Sequence, residues 1–443
     1  MTSTHDETID MLQHCIRARC VNEGVPSSGG EERSAQIIEE FLGTEGLDVE
    51  TAEPLPGRRS VVARLEGSDP TAPSLCLLGH LDVVPASADG WRHDPFGGEL
   101  VDGEVWGRGA IDMLNLTCTM ASSVRTVARS GNRPRGTIIF AAVADEEAGG
   151  TYGAEYLLTN CSDLVNADYV ITESGGLSLV NGQRHAISIT VAEKGAAWRR
   201  LIVRGTPGHA SMPFGSDNAL VTAAEVVSRL AAHRSAAVID DNWISYVGSL
   251  ELGADIAERL VDPRQIDDAL GAIEDAALAS HAHACTHTTL SPTVLQAGVK
   301  TNVIPESVVI EVDIRPLPGV DAAEVDAMLL DVIGSDLASR VTIEPLCDIA
   351  ATDSPLDTPL YELLGEVTRE FYPQASLVPV TTPGGTDALH FRRAGAIAYG
   401  FAMFSRQMTM GDYRSRFHAR NERIDVESLR LTAEAWLALA SRW

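Results

Sequence analysis

Three short, wholly apolar runs each end on a side chain that can hold a cation or move a proton. Ser74-Leu75-Cys76-Leu77-Leu78 runs straight into Gly79-His80-Leu81-Asp82. Thr137 to Val143 stops at Asp145-Glu146-Glu147, and Tyr169-Val170-Ile171-Thr172 stops at Glu173. Apolar runs this short are typical of strands buried on both faces, as in a parallel sheet. Helical patterns at Leu116–Arg129 and Gly153–Leu158 lie between them. Alternating helix and buried strand predicts an α/β sheet with helices on both faces. In such sheets, sites form outside the carboxyl ends of the strands, where these polar groups fall. One strand ending on an acid would mean little; three put the chemistry at one edge.

The pattern changes near residue 186. Ala186–Val191, Trp198–Val203, Thr293–Gln296 and Ser307–Ile314 read as strands, and Asn218–Ala232 and residues 255–280 as helices. Near residue 350 the strand–helix alternation resumes, with helices over Leu360–Phe371 and Val426–Trp443. A chain of 443 residues is long for a single core. It is expected to form a discontinuous α/β domain, 1–187 with 350–443, interrupted by a smaller α+β domain over 188–349. The sheet of the first domain is expected to be mixed but largely parallel. Pro379, inside the strand pattern Leu377–Thr382, marks an edge strand, because proline cannot donate to a ladder.

His80 and Asp82 share a side of an extended chain, so the imidazole can bind a metal while the carboxylate orients it. Alone, the pair reads equally as a core histidine beside an acid. Gly107-Arg108-Gly109-Ala110-Ile111-Asp112-Met113 lacks the Lys-Ser/Thr of a phosphate cradle. Asp112 reads as a carboxylate aimed into the same cleft, or as a helix N-cap. Three adjacent acids at 145–147 repel one another unless a cation or proton balances them. One can bind metal while its neighbour acts as a general base. Glu173 and His418 complete two histidines and three carboxylates, enough for two metals sharing a bridge, and a mix that suits Zn²⁺, with Co²⁺ or Mn²⁺ as substitutes. His281, His283 and His287 form a rival cluster; without carboxylates at similar spacing it reads as a solvated strand or loop.

With Lys and Arg at 34 and Asp and Glu at 62, the formal charge is −28. That balance repels nucleic-acid phosphates and anionic membranes. No apolar window of about 20 residues reads as a membrane span, and the polar start MTSTHDETIDMLQHC lacks the features of a signal peptide. A cytoplasmic location is the expectation. The 7 cysteines are scattered without a CxxC pair and read as reduced packing residues.

Taken in order, these motifs resemble the M20 metallopeptidases: aminoacylases, carnosinase-like dipeptidases, glutamate-releasing carboxypeptidases and succinyl-diaminopimelate desuccinylases. Gly79–Pro85, Gly107–Met113 and Asp145-Glu146-Glu147 with Gly149-Gly150 resemble the family's first three site motifs. Gly205–Pro213 resembles its lid-domain histidine motif. Lys300–Pro305 and Asp313-Ile314-Arg315 resemble the lid's substrate strands, and Gly384-Gly385-Thr386-Asp387 and His418 with Asn421-Glu422 the closing motifs. Leu114-Asn115 stands where many members carry a lysine, and Ser174-Gly175-Gly176 after Glu173 differs from the usual pocket floor.

The resemblance implies that His80, Asp112 and Glu173 hold one metal and Asp112, Glu147 and His418 the other, giving two Zn²⁺ per subunit. It implies that Asp82 steers His80, that Glu146 is the general base, and that the Asp112–Met113 peptide is cis. His209 is expected to act in the partner subunit of a homodimer formed through the lid. Asn302, Arg315, Gly385 and Thr386 are expected to contact the substrate carboxylate. The implied activity is hydrolysis of N-acyl amino acids or dipeptides with a free carboxylate. A desuccinylase, an amidohydrolase of a specialised metabolite, and an inactive relative serving as a binding protein stay open.

Overall fold

The computed structural model describes residues 4–43, 46–181, 184–250 and 252–443. Its ten-stranded sheet runs, in order, Asp48–Ala52, Ser60–Leu65, Ile138–Val143, Leu75–His80, Tyr169–Thr172, Ile397–Gly400, Arg184–Glu193 and Thr352–Asp353. Ala375–Thr382 and Ser178–Asn181 also pair with Arg184–Glu193. The apolar runs sit at the centre and pair in parallel: Leu75 lies opposite both Ile138 and Tyr169, His80 opposite Val143, and Gly400 opposite Thr172. That register brings His80, the Asp145–Glu147 turn and Glu173 to one edge. The outer strands are antiparallel, so the sheet is mixed and only partly parallel. The expected mixed sheet is found: Ser60–Leu65 runs antiparallel to both its neighbours, and Arg184–Glu193 is antiparallel to Ser178–Asn181, Ile397–Gly400 and Thr352–Asp353 but parallel to Ala375–Thr382. Pro379 lies on Ala375–Thr382, whose one strand partner among the described residues is Arg184–Glu193, as an edge strand allows.

Both sheet faces are covered. Helices Thr4–Ala18, Glu32–Leu42, Leu114–Ser130 and Val426–Ala440 bury Leu12, Ile38, Val124 and Trp436 against one face. Ala154–Asn160 and Ala388–Arg393 bury Leu157 and Phe391 against the other. Gly79 is required where the first layer presses closest. A Cβ there would stand 2.4 Å from Thr117 Oγ1, and that hydroxyl donates to the His80 carbonyl at 2.9 Å.

A second sheet has the order Thr289–Ala297, Ser307–Arg315, Arg199–Arg204, Val341–Pro345. Along Ser307–Arg315 every second residue is buried, the alternation of a sheet covered on one face. Helices Ala219–Ala232 and Ala322–Ile333 supply the cover, packing Val226, Leu230, Val325 and Leu329 on Leu201, Val308 and Ile310.

Two features bear on the expected division of the chain. Arg184–Glu193 belongs to the ten-stranded sheet, so a boundary at 187/188 falls inside a strand. Helices Asp241–Ser249, Ala254–Leu260, Ile266–Leu270 and Ala276–Thr286 pack Trp243, Tyr246 and Ile266 with Ala186 and Val378 of the large sheet. They therefore serve the large sheet although they lie within 188–349. No helix among the described residues is long and apolar enough to cross a membrane.

Candidate active site

His80 ends its strand fully buried. Its Nδ1 lies 2.9 Å from the Asp82 carbonyl and 3.5 Å from Asp82 Oδ1. The other nitrogen faces acids: Nε2 is 3.2 Å from Asp112 Oδ1, 3.8 Å from Glu173 Oε1 and 3.9 Å from Glu146 Oε2. Asp112 Oδ2 in turn lies 2.6 Å from His418 Nε2, which is 3.4 Å from Glu147 Oε2. One carboxylate thus stands between two imidazoles, with a glutamate flanking each. The peptide joining Asp112 to Met113 is cis.

Distant segments hold this arrangement. Strand Arg423–Asp425 pairs with Glu104–Trp106, drawing the His418 loop to the Asp112 loop. Glu422 accepts from the Ile111 and Asp112 backbone N–H groups at 2.8 and 3.2 Å and pairs with Arg108 at 2.6 Å. Asp82 accepts from the N–H groups of Glu146 and Glu147 at 3.2 and 3.1 Å and from Asn22 Nδ2 at 2.8 Å. It therefore orients both His80 and the acidic turn. Asp145 does not face the cluster. It pairs with buried Arg58 at 2.6 Å, Arg58 also holds Glu31 at 2.9 Å, and Asp145 takes a left-handed φ of 71°. Ser174 and His418, at φ 72° and 52°, share that costly conformation. Backbone strain of this kind persists where the surroundings impose it, often at functional sites.

The electrostatics are those of a cation site. Burial, then the Glu173 charge, pushes the Glu146 carboxyl well up against the opposing pull of His80, and burial with Asp112 does the same to Glu173. Burial and the surrounding acids push Asp387 up to about 8. Glu147 Oε1 is buried with no hydrogen-bond partner. An orphaned buried oxygen among crowded acids is costly unless positive charge is supplied there. The donors, two imidazoles and several carboxylate oxygens, fit zinc-like divalent ions.

A cavity of about 420 Å³ opens onto this cluster, lined by Asp112, Glu146, Glu147, Glu173 and His418 together with Gly385 and Thr386. Thr386 Oγ1 donates to buried Glu193 Oε1 at 2.5 Å. The structure thus gathers His80, Asp82, Asp112, Glu146, Glu147, Glu173, His418, Gly385 and Thr386. It does not bring His209, Asn302 or Arg315 to the cavity lining. His209 is exposed on the short strand Gly208–His209, with Nδ1 2.7 Å from Ser211 Oγ, and Asn302 is exposed beside it. Arg315 makes a bidentate pair with Asp313 at 2.7 and 3.0 Å.

Sequence reasoning missed Tyr246, His281, Met410 and Arg414, which line the far wall. The packing of residues 241–286 on the large sheet brings Tyr246 and His281 there, and helix Met410–Arg416 brings Met410 and Arg414; apart from His281, set aside with the rival cluster, none of them lies in a motif. His281–His287 read as solvated strand or loop; it belongs to the helix Ala276–Thr286 and the turn after it, and His287 is fully buried.

The fold, the facing imidazoles and the buried acids are those of a metal-dependent amidohydrolase. The chain belongs to peptidase family M20/M25/M40, whose profile matches residues 76–442. It is 29% identical over 400 residues to an N-fatty-acyl-amino acid synthase/hydrolase PM20D1 of Xenopus tropicalis, covering 86% of this chain and 75% of the relative. Aminoacylase-1 of Sus scrofa is 26% identical over 445 residues, covering 98% and 95%. The structure resembles that of the M20 family metallo-carboxypeptidase Sso-CP2 from Sulfolobus solfataricus with a TM-score of 0.71, at 18% identity, covering 100% of this chain and 99% of that one.

Proposed function

We propose that this chain hydrolyses the amide bond of N-acyl amino acids or dipeptides that carry a free carboxylate. The observation that carries the reading is the Asp112 carboxylate bracketed by His80 at 3.2 Å and His418 at 2.6 Å, open to the cavity. His80, Asp112 and Glu173 would hold one divalent cation, and Asp112, Glu147 and His418 a second, with zinc as the ion. Such a pair supplies Lewis acidity and lowers the pKa of water towards about 7.

The chain's own residues do the rest. Asp82 holds His80 Nδ1 and so aims Nε2 at the cluster. Glu146, on the cavity wall beside His80, takes the proton of the attacking water and returns it to the leaving amine. Arg414 lines the cavity, and its guanidinium would take the substrate carboxylate. Arg315 and Asn302 take that part only when the small sheet comes over the cavity. His209 stabilises the oxyanion in the site of a second copy. Exposed Met212, Phe214 and Val299, at 74%, 103% and 97%, support a homodimer through this face, since apolar groups clustered at a surface mark contact sites.

The test is release of free amino acid from a panel of N-acyl amino acids and dipeptides, with metal-stripped and zinc-loaded protein side by side. Zinc-dependent release from a subset is expected. No release from any member by protein with two zinc ions bound would overturn the reading.

A further inference from the structure

The helices of residues 241–286 carry a group of ligand-type side chains outside the cavity lining. His283 lies on helix Ala276–Thr286 and His287 follows its end, four residues on, so both share one face. Their rings are parallel, with centroids 4.3 Å apart. Asp267, on helix Ile266–Leu270, places Oδ1 3.3 Å from His287 Nε2. One ligand atom from each residue lies within 4.8 Å of the others.

The tautomer of His287 follows from its neighbours. The Thr286 hydroxyl donates to the Ala282 carbonyl at 2.7 Å. Its oxygen is then left to accept from His287 Nδ1–H at 2.9 Å, and the His283 carbonyl, 3.2 Å from the same nitrogen, is an acceptor as well. The proton therefore sits on Nδ1, and Nε2 presents a lone pair. Nε2 is buried with no hydrogen-bond partner, and the group facing it is a carboxylate oxygen. Two acceptors facing each other repel unless a positive centre lies between them. A carbonyl holding the far nitrogen is also how ligating imidazoles are oriented.

We propose that Asp267, His283 and His287 bind a divalent first-row transition cation at a site separate from the Asp112 cluster. Two imidazoles and one carboxylate suit Zn²⁺ and its neighbours rather than Mg²⁺ or Ca²⁺, which favour oxygen donors. Asp267 is exposed and His283 half-buried, so water has access to the remaining position. The cation ties helix Ile266–Leu270 to helix Ala276–Thr286. The latter also carries His281 on the cavity wall, so the ion pins the wall that faces the substrate.

The test is zinc stoichiometry. The 443-residue chain is stripped with a chelator, loaded with excess Zn²⁺, desalted, and its metal counted by plasma mass spectrometry. Asp267→Ala and His283→Gln, both at solvent-accessible side chains, are each expected to bind one zinc fewer than wild type. The same loss is expected when Asp267→Ala is added to His80→Ala, in which the Asp112 cluster is already broken. The rise in Tm on adding zinc is expected to be smaller in Asp267→Ala than in wild type. Equal zinc counts in wild type and both variants would overturn the proposal, whatever the catalytic cluster binds.

Discussion

The edge of the large sheet and the loops of the small one carry equally recognisable motifs, yet they are built differently. At the large sheet's edge, His80, Asp112 and Glu173 are buried and Glu147 half-buried, and they meet one another within a single chain. On the ribbon of Gly208–His209 with Val303–Ile304 and the turn beside it, His209 and Asn302 are exposed, and on the small sheet Arg315 is occupied by Asp313. The first region is complete in itself. The second presents polar groups with little to act on inside its own chain, which is what a surface serving another copy or a moving part looks like.

The sharpest way to break the comparison is to disable the buried edge. Glu146→Gln removes the proton acceptor but keeps an isosteric side chain. Turnover is expected to fall by about 10²–10⁴-fold while the zinc count stays that of wild type. Unchanged turnover would mean that the edge lacks its assigned base. Support for the edge is tested by Arg58→Ala. That change leaves Glu31 and Asp145 buried without their shared cation, which costs about 3–5 kcal/mol where such partners are removed. Urea unfolding reads this directly, and a loss close to zero would show the pair to be dispensable.

The exposed region calls for a different experiment. His209→Ala is expected to lower turnover by about 10²–10³-fold, the range for losing one oxyanion donor. Mixing it with Glu146→Gln protein would restore activity if His209 acts across a dimer, because one site of the mixed pair is then intact. A mixture as inactive as its components would confine His209 to its own chain. Arg414→Ala is expected to raise KM for carboxylate substrates by about 10–100-fold, in line with roughly 1.5–3 kcal/mol for a hydrogen bond to a charged group. Arg315→Ala is the comparison. A larger effect there would show that the small sheet, and not the cavity wall, reads the carboxylate.

The difference between the regions also marks what the sequence made legible. Short apolar strands ending on His80, Glu147 and Glu173 could be read because burial on both faces leaves a local pattern. Their meeting with Asp112 and His418 followed from the ordered motifs. Arg58 was not legible: it stands in an ordinary polar stretch, and its burial depends on packing against Glu31 and Asp145 from elsewhere. The wall formed by Tyr246, His281 and Arg414 was hidden for the same reason: the helices that carry Tyr246 and His281 fall in the small sheet's stretch of sequence yet pack on the large sheet, and Arg414 stands on the separate helix Met410–Arg416. The direction of each outer strand was not legible, because a buried strand has the same composition in either sense.

The smallest expected effect lies in the surface electrostatics of the small sheet's helices. Arg229 grips Asp336 with two bonds of 2.8 Å and also donates to the Ile333 carbonyl. The guanidinium holds the Asp336 carboxyl down, at about 2 against an ordinary 3.8. A carboxylate with a lowered folded pKa binds fewer protons when folded than when unfolded across that interval, so its stabilisation is present above the ordinary value and fades as pH falls through the lowered one. Asp336 is 61% exposed, so water and salt screen the pair. Asp336→Asn should therefore unfold slightly more easily than wild type above about pH 4 and match it near about pH 2, with the gap shrinking as salt is added. A gap that persisted at both acid pH and high salt would show that the pair acts through the geometry of the helix end at Gly334 rather than through charge. The small sheet would then resemble the buried edge more than its exposed residues indicate.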